Sequence, residues 1–214
     1  MRMRILYINP NATEAMTVSI VSAARAAAPQ DDILGWTNHA GPPVIQGPED
    51  GAAAVEGTLA LLPRARAEGA DVIVIACFDD TGLTQLRAAA HCPVIGIGQA
   101  AMSIATLHAN PFAVVTTLAV SVPVIAGNVA DYGYDHACAG VFASGLAVLE
   151  VEAGGAGVEK QLARTIARAA DAGARSVILG CAGMAHLKAA LSAETGVQLI
   201  DGVAASAHCA KAFS

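Results

Sequence analysis

The sequence predicts an α/β fold of two similar lobes, each a parallel sheet flanked by helices, related by a pseudo-two-fold with the active site in the cleft between them. Three features predict it. Short apolar runs alternate with longer stretches rich in Ala and Leu, the pattern of strands connected by helices. A segment ending in cysteine is written twice along the chain. The composition is aliphatic rather than aromatic, 55% apolar with only 4% Phe, Trp and Tyr, which suits parallel strands covered by closely packed small-residue helices.

Arg4 to Ile8, Ile33 to Trp36, Val72 to Ala76, Val94 to Ile97, Phe112 to Thr116, Ser176 to Leu179 and Gln198 to Ile200 read as strands, short and bounded by turn residues. Between them Thr13 to Ala28, Asp50 to Glu68, Leu83 to His91, Gln99 to Ala109, Ser121 to Asp131, Val158 to Ala172, Met184 to Glu194 and Val203 to Phe213 read as helices. The repeat sets Glu68-Gly-Ala-Asp-Val-Ile-Val-Ile-Ala-Cys77 against Ala172-Gly-Ala-Arg-Ser-Val-Ile-Leu-Gly-Cys181, at an offset of 104 residues. Upstream of the two copies, Arg4 to Pro10 corresponds to Phe112 to Thr117. The chain therefore divides into an N-terminal lobe of residues 1–98 with 203–214 and a C-terminal lobe of residues 99–202, parting between Gln99 and Asn110.

A net charge of −6, with no basic cluster beyond Arg64 and Arg66, leaves no electrostatic footprint for nucleic acid. Ile5 to Ile8 is too short for a signal-peptide core, and Phe112 to Ala126 is interrupted by Thr116, Thr117, Ser121 and Pro123 before it reaches a membrane span. A cytoplasmic protein with no membrane partner is expected. Five cysteines without a C-x-x-C spacing suggest free thiols, and six scattered histidines suggest no metal. The apolar helix faces are expected to find cover in a homo-oligomer.

Cys77 and Cys181 end matched strands, where sheets of this kind gather their active residues. A buried cysteine ordinarily just packs, but packing does not require the same residue at the same place twice. Two thiols facing one carbon acid from opposite sides can remove a proton from one face and deliver one to the other. A helix beginning near Thr81 and another near Met184 are expected to lower each thiol pKa through the positive helix end. His186 is a weaker candidate for tuning Cys181 and reads as a solvent-facing residue. Trp36, Tyr132 and Tyr134 read either as the cleft mouth or as core and turn residues. Gly96-Ile-Gly-Gln-Ala-Ala101 matches a dinucleotide fingerprint, but no acidic residue follows on the next strand, so its glycines are read as a tight turn.

Ile5 to Thr13, Gly41-Pro-Pro-Val-Ile-Gln-Gly47, Ala76-Cys-Phe-Asp-Asp-Thr-Gly-Leu83, Val114-Val-Thr-Thr-Leu118 and Leu179-Gly-Cys-Ala-Gly-Met184 together resemble the hydantoin racemases, within the wider aspartate/glutamate/hydantoin racemase superfamily. The resemblance implies a cofactor-independent enzyme that inverts C5 of a 5-substituted hydantoin or allantoin. It implies Cys77 and Cys181 as the acid/base pair. It further implies that Asn9, Ile45, Thr116, Thr117 and Gly183 contact the small ring substrate, with Phe78, Asp79, Thr81 and Gly82 in a loop that supplies backbone donors. Asp79 and Asp80 have helix capping as their structural alternative. Neither cysteine opens the Cys-Asn-Thr triplet of glutamate racemases, which favours a ring over a free amino acid. Another two-cysteine enzyme of the superfamily (amino-acid racemase, maleate-type isomerase or decarboxylase) and a non-catalytic small-ligand clamshell sensor remain the alternatives.

Overall fold

The computed structural model describes residues 2–108 and 111–214; the predicted helix end at Ala109 and the lobe junction at Asn110 lie outside the described residues. The chain runs β1 (Arg4–Asn9), α1 (Glu14–Ala27), β2 (Asp32–Thr37), α2 (Pro48–Ala60), α3 (Leu62–Ala67), β3 (Val72–Ile75), α4 (Leu83–Ala89), β4 (Val94–Gly96) and α5 (Ile97–His108). It continues through β5 (Phe112–Thr116), α6 (Val122–Asp131), β6 (Cys138–Ala143), α7 (Val148–Ala153), α8 (Ala156–Asp171), β7 (Ser176–Leu179), α9 (Lys188–Thr195), β8 (Gln198–Asp201) and α10 (Gly202–Ala210). The first sheet has the order β2-β1-β3-β4 and the second β6-β5-β7-β8, with every pair parallel. The two lobes therefore share one topology.

The central strands are buried almost throughout, as a sheet covered on both sides requires, and their side chains alternate between two cores with a period of two. Ile5, Tyr7, Val72 and Val74 face the middle of the molecule, as do Phe112, Val114 and Ile178 from the other sheet, and all join one core with α1, α5 and α10. The opposite faces, Leu6, Ile8, Ile73 and Ile75 in one lobe and Ala113, Val115, Val177 and Leu179 in the other, pack under separate outer clusters. Val74 and Ile178, related by the 104-residue offset, thus occupy matching sides of their sheets. The central helices α5 and α10 pack on each other. The Tyr7 hydroxyl donates to the Val203 carbonyl (3.2 Å), and Lys211 pairs with buried Asp31, so the end of the chain returns to the first sheet.

Several elements depart from expectation. The stretch read as one helix from Asp50 to Glu68 breaks at Leu61, since Pro63 has no N–H and its ring crowds the carbonyl four residues back. Strand β6 and helix α7 were not anticipated. The β6 sequence carries Gly140 at φ +141, its register against β5 slips beside Phe112, and its residues are only half-buried, so no alternation marks it. After Cys181 the chain first makes a 3-10 segment, Ala182–Leu187, and becomes α-helical only at Lys188. Among the described residues, no helix is long and apolar enough to cross a membrane.

The two central helices begin under carboxylates that come from different places. Asp201 ends β8 and accepts from the N–H groups of Val203 and Ala204 (both 3.0 Å), an ordinary N-cap for α10. The register places Gly96 at the equivalent end of β4, since Ile75 pairs with Gly96 as Leu179 pairs with Asp201. A Cβ on Gly96 would lie 2.1 Å from Asp80 Oδ1, because the Asp80 carboxylate fills that space. It accepts from Gly98 N (2.9 Å) and Gln99 N (2.7 Å), the donors two and three residues beyond Gly96. The Gly96-x-Gly98 pattern therefore makes room for an acid from another loop rather than for a nucleotide or a bare turn.

This arrangement predicts coupling between the two positions. Gly96→Asp overpacks the cap and Asp80→Gly removes it, and each is expected to cost about 2 kcal/mol or more. The double variant restores the Asp201 geometry and should be more stable than either single one, by about 1–3 kcal/mol of favourable coupling in a urea-denaturation cycle.

Candidate active site

Strands β3 and β7 deliver Cys77 and Cys181 to the same cleft. Its wall is made by Asn11, Met16, Ile45, Ala76, Cys77, Phe78 and Asp79 from one lobe and Thr116, Thr117, Ser121, Val148, Gly180, Cys181 and Ala182 from the other. Ile45 and Val148 close it from opposite sides. They are tied together where Val148 N donates to Gln46 Oε1 (3.1 Å). Among the described residues the wall contains no Lys, Arg or His, and Asp79 is its only carboxylic acid.

The Cys77 loop is held from three directions. Asp80 adopts φ +50, a left-handed conformation that Asp tolerates and most residues do not. That turn sends its carboxylate to α5, where the Tyr132 hydroxyl also donates to it (2.8 Å). Asn128 Nδ2, on α6 of the other lobe, donates to the Asp79 carbonyl (2.9 Å). The loop is thus braced by the start of α5 and, through Tyr132 and Asn128, by the facing lobe. Of the two acids, Asp80 caps a helix, though α5 rather than the α4 that follows it.

Each thiol receives a backbone N–H from the residue two positions on, Asp79 for Cys77 and Gly183 for Cys181, another pair at the 104 offset. The Thr81 hydroxyl, buried and otherwise unpartnered among the described residues, lies beside Cys77 and favours its thiolate. These donors do not prevail. Burial pushes both thiols up, Cys181 to about 12, and the Asp79 carboxylate adds to the rise at each. The depressed thiol pKa expected from helix ends is therefore corrected: α4 is short, the segment after Cys181 is a 3-10 turn, and desolvation outweighs what dipole remains.

The offset also pairs Asp79 with Gly183. A Cβ at Gly183 would stand 2.9 Å from Glu152 Oε2, so a carboxylate from α7 enters the space beside Cys181 that a side chain there would take. Ser19 Oγ donates to the other oxygen of Glu152, and the Glu152 charge raises the Cys181 thiol further. Each sulfur consequently has one carboxylate near it.

Comparison with known proteins gives the family. The sequence model of the family described as Asp/Glu/Hydantoin racemase matches residues 5–210. A hydantoin racemase of Rhizobium meliloti is 42% identical over 213 residues, 99% of this chain and 88% of the relative. The chain belongs to this family. Among solved structures, an allantoin racemase from Klebsiella pneumoniae superposes with a TM-score of 0.93 at 40% identity, covering 98% of this chain and 86% of that one. An allantoin racemase from Pseudomonas fluorescens gives 0.90 at 32% identity, over 98% and 90%. The protein is accordingly an isomerase of the racemase family.

Of the residues that sequence reasoning assigned to this racemase-family site, the structure brings Cys77, Cys181, Ile45, Phe78, Asp79, Thr116 and Thr117 into one wall. The Thr116 hydroxyl donates to the Gly180 carbonyl (3.2 Å), while that of Thr117 has no partner among the described residues. Asn9 lies behind the wall. Its amide donates to Asn11 Oδ1 (3.0 Å), Thr17 Oγ1 (3.1 Å) and the Thr13 carbonyl (3.2 Å), so it fixes the entry to α1 and Asn11 takes the cleft position. Thr81 supports Cys77, Gly82 ends the loop at φ +70, and Gly183 leaves room for Glu152. His186 is exposed with its ring against Gly154, Trp36 lies under the Arg64 guanidinium, and Tyr134 bonds to Ser103. Asn11, Met16, Ser121 and Val148 were missed. Ser121 did carry a signal, as a hydroxyl in the most apolar stretch of the chain, whereas Val148 sits on an unanticipated helix.

Burial, then the neighbouring Asp80, pushes Asp79 up to about 7. A carboxyl raised in the folded state weakens folding as pH climbs from its unfolded value to about 7, and the full cost persists above that. Asp79→Asn is therefore expected to raise stability by about 1–3 kcal/mol at pH 8, with the difference fading toward pH 4, measured by urea denaturation across pH.

Proposed function

We propose that this protein racemises a hydantoin-type ring, a 5-substituted hydantoin or allantoin, by proton transfer at C5 between Cys77 and Cys181. The observation that carries the reading is the convergence of two matched thiols, each with a backbone donor two residues on, in a cleft without cations. Hydantoin and allantoin racemases among the relatives, at 32–42% identity over nearly the whole chain, support the choice of substrate. The division of labour follows the two lobes, residues 1–98 with 203–214 and residues 99–202, with one thiol in each.

The chemistry balances without an external reagent. One thiolate takes the C5 proton; the S–H bond forms as the C–H bond breaks, and the electron pair moves onto C5 and its neighbouring carbonyl oxygen. The opposite thiol then gives its proton to the other face of C5 and becomes the thiolate. Each sulfur in turn serves one enantiomer. Charge on either sulfur disfavours charge on the other, which keeps one thiol protonated while its partner is the base. Burial makes the thiolate scarce at neutral pH, yet a stronger base once formed.

The wall also bears on the substrate. A free amino acid presents a carboxylate that would require a cation or a dense set of donors, and among the described residues the cleft offers only the Asn11 amide, the Thr116, Thr117 and Ser121 hydroxyls and backbone groups. A neutral ureide ring, alternately donor and acceptor, suits such a lining better. Ile45 and Val148 would cover its faces, and Asn11, Thr116, Thr117 and the loop from Phe78 to Gly82 would supply its polar contacts, with Asn9 and Gly183 acting from behind them.

Solvent deuterium uptake at C5 of each pure enantiomer tests the roles. Cys77→Ser and Cys181→Ser should each lower racemisation at least ~100-fold while one enantiomer, different for the two variants, still exchanges. Full racemisation by either single variant would refute the two-thiol reaction. With both thiols raised, the wild-type kcat/KM should climb with pH from 7 to 9 by roughly tenfold per unit, as the thiolate fraction does; a flat profile over that range would contradict it.

A further inference from the structure

Asp79 has a carboxylate that the two-thiol reaction does not use. Its backbone is fully engaged, with the N–H on the Cys77 sulfur and the carbonyl accepting from Asn128. Its side chain forms part of the cleft wall and meets no hydrogen-bond donor among the described residues. The other acids nearby are committed or turned elsewhere. Asp80 accepts from three protein donors, Glu152 accepts from Ser19, and neither belongs to the wall.

The position of this carboxylate is informative. It lines the same cleft as both sulfurs, and its charge acts on Cys77 and on Cys181. A carbon acid reacting between those sulfurs presents its ring edge or its substituent to the wall that Asp79 helps to form. A desolvated carboxylate without a donor is unfavourable, and a ligand N–H would remove that cost, whereas a ligand carboxylate would double it. The second lobe has glycine at the matching position, and the Glu152 carboxylate beside it stays outside the wall, so among the described residues Asp79 is the one acid that lines the cleft.

We propose that the Asp79 carboxylate is a specificity-determining group that accepts an N–H from the ring edge or the substituent next to the reacting carbon, selecting neutral or cationic donor-bearing ligands against anionic ones. This rests on the reading that the ligand reacts at a ring carbon between the thiols. Two sources of the donor share the chemistry: an N–H of the ring itself, or one on the C5 substituent, as in a ureido or aminoalkyl group.

The test compares wild type with Asp79→Asn, a variant of the same shape without the charge, on 5-substituted hydantoins of matched length carrying aminoalkyl, alkyl or carboxyalkyl groups at pH 8. The ratio of kcat/KM for the aminoalkyl over the carboxyalkyl ligand should fall at least about tenfold in the variant, the scale of one charge-assisted hydrogen bond. A merely structural role would lower all three ligands by one factor and leave the ratio unchanged, and that result overturns the proposal. Methylating the ring nitrogen next to C5 separates the sources. If the ring is the donor, methylation of the alkyl ligand weakens wild type and not the variant; if the substituent is, methylation affects both alike while the ratio still falls. Calorimetric affinities for the same ligands keep the inference separate from the reaction. Ligands that bind with the expected ratio but do not racemise refute the proposed function alone, and ligands that racemise with an unchanged ratio refute the role of Asp79 alone. No binding of any of them to wild type refutes both.

Discussion

The carboxylate of Asp80 is the tie on which the active site depends. It is buried, it accepts the first free N–H groups of α5, and it accepts the Tyr132 hydroxyl from the other lobe. Because it must reach α5 from the loop after β3, the loop turns through φ +50 at this residue, and that turn sets where Cys77 and Asp79 stand. A free carboxyl would not be worth burying here; burial pushes Asp80 up to about 6 even with its donors in place. The donors come from the start of a central helix and from a tyrosine just past α6, elements that meet again where Ser103 bonds to Tyr134. One desolvated acid thus helps to join the lobes and shapes the loop that carries Cys77.

The duplication is faithful in its backbone and free in its side chains. The sheet orders, the strand faces and the backbone donors at Asp79 and Gly183 repeat. The acids do not. Where α10 is capped by Asp201 on its own strand, α5 is capped across a gap left by Gly96. Where Cys77 has Asp79 on its own loop, Cys181 has Glu152 entering beside Gly183. In each case the electrostatic requirement is met at the same place in space by a residue from another place in sequence. Glycine marks the position that was vacated, since any Cβ there would strike the incoming carboxylate.

That explains what could be read from the sequence and what could not. The repeat ending in Cys77 and Cys181 was legible because its strands are buried on both faces and so are continuously apolar, and the thiols follow them at once. Strand β6 was not, because it is half-buried and kinked at Gly140, and α7 was lost with it. Val148 and Glu152 therefore escaped notice, although one walls the cleft and the other flanks a thiol. The glycines of Gly96-x-Gly98 were visible but pointed the wrong way, since their reason lies sixteen residues upstream in Asp80. Asn9 and Asn11 were nearly right: the Asn-Pro-Asn turn does reach the cleft, but only the bonding of Asn9 to α1 reveals which amide faces it.

The thiols bring these strands together. Strand ends, small residues and helix starts suggested sulfurs eased toward the thiolate, and burial reverses that. The reversal fits a two-base inversion better than easy ionisation would. Two readily formed thiolates in one small cleft would repel each other and leave no proton for the far face, so a site that stabilised both could abstract but not deliver. Desolvation, together with nearby acids, makes the second negative charge costlier than the first and keeps a donor opposite the base. In the proposed reaction the backbone N–H groups at Asp79 and Gly183 would then matter as a matched pair: they favour charge on either sulfur in the same way, which would let the single charge move from one lobe to the other and back.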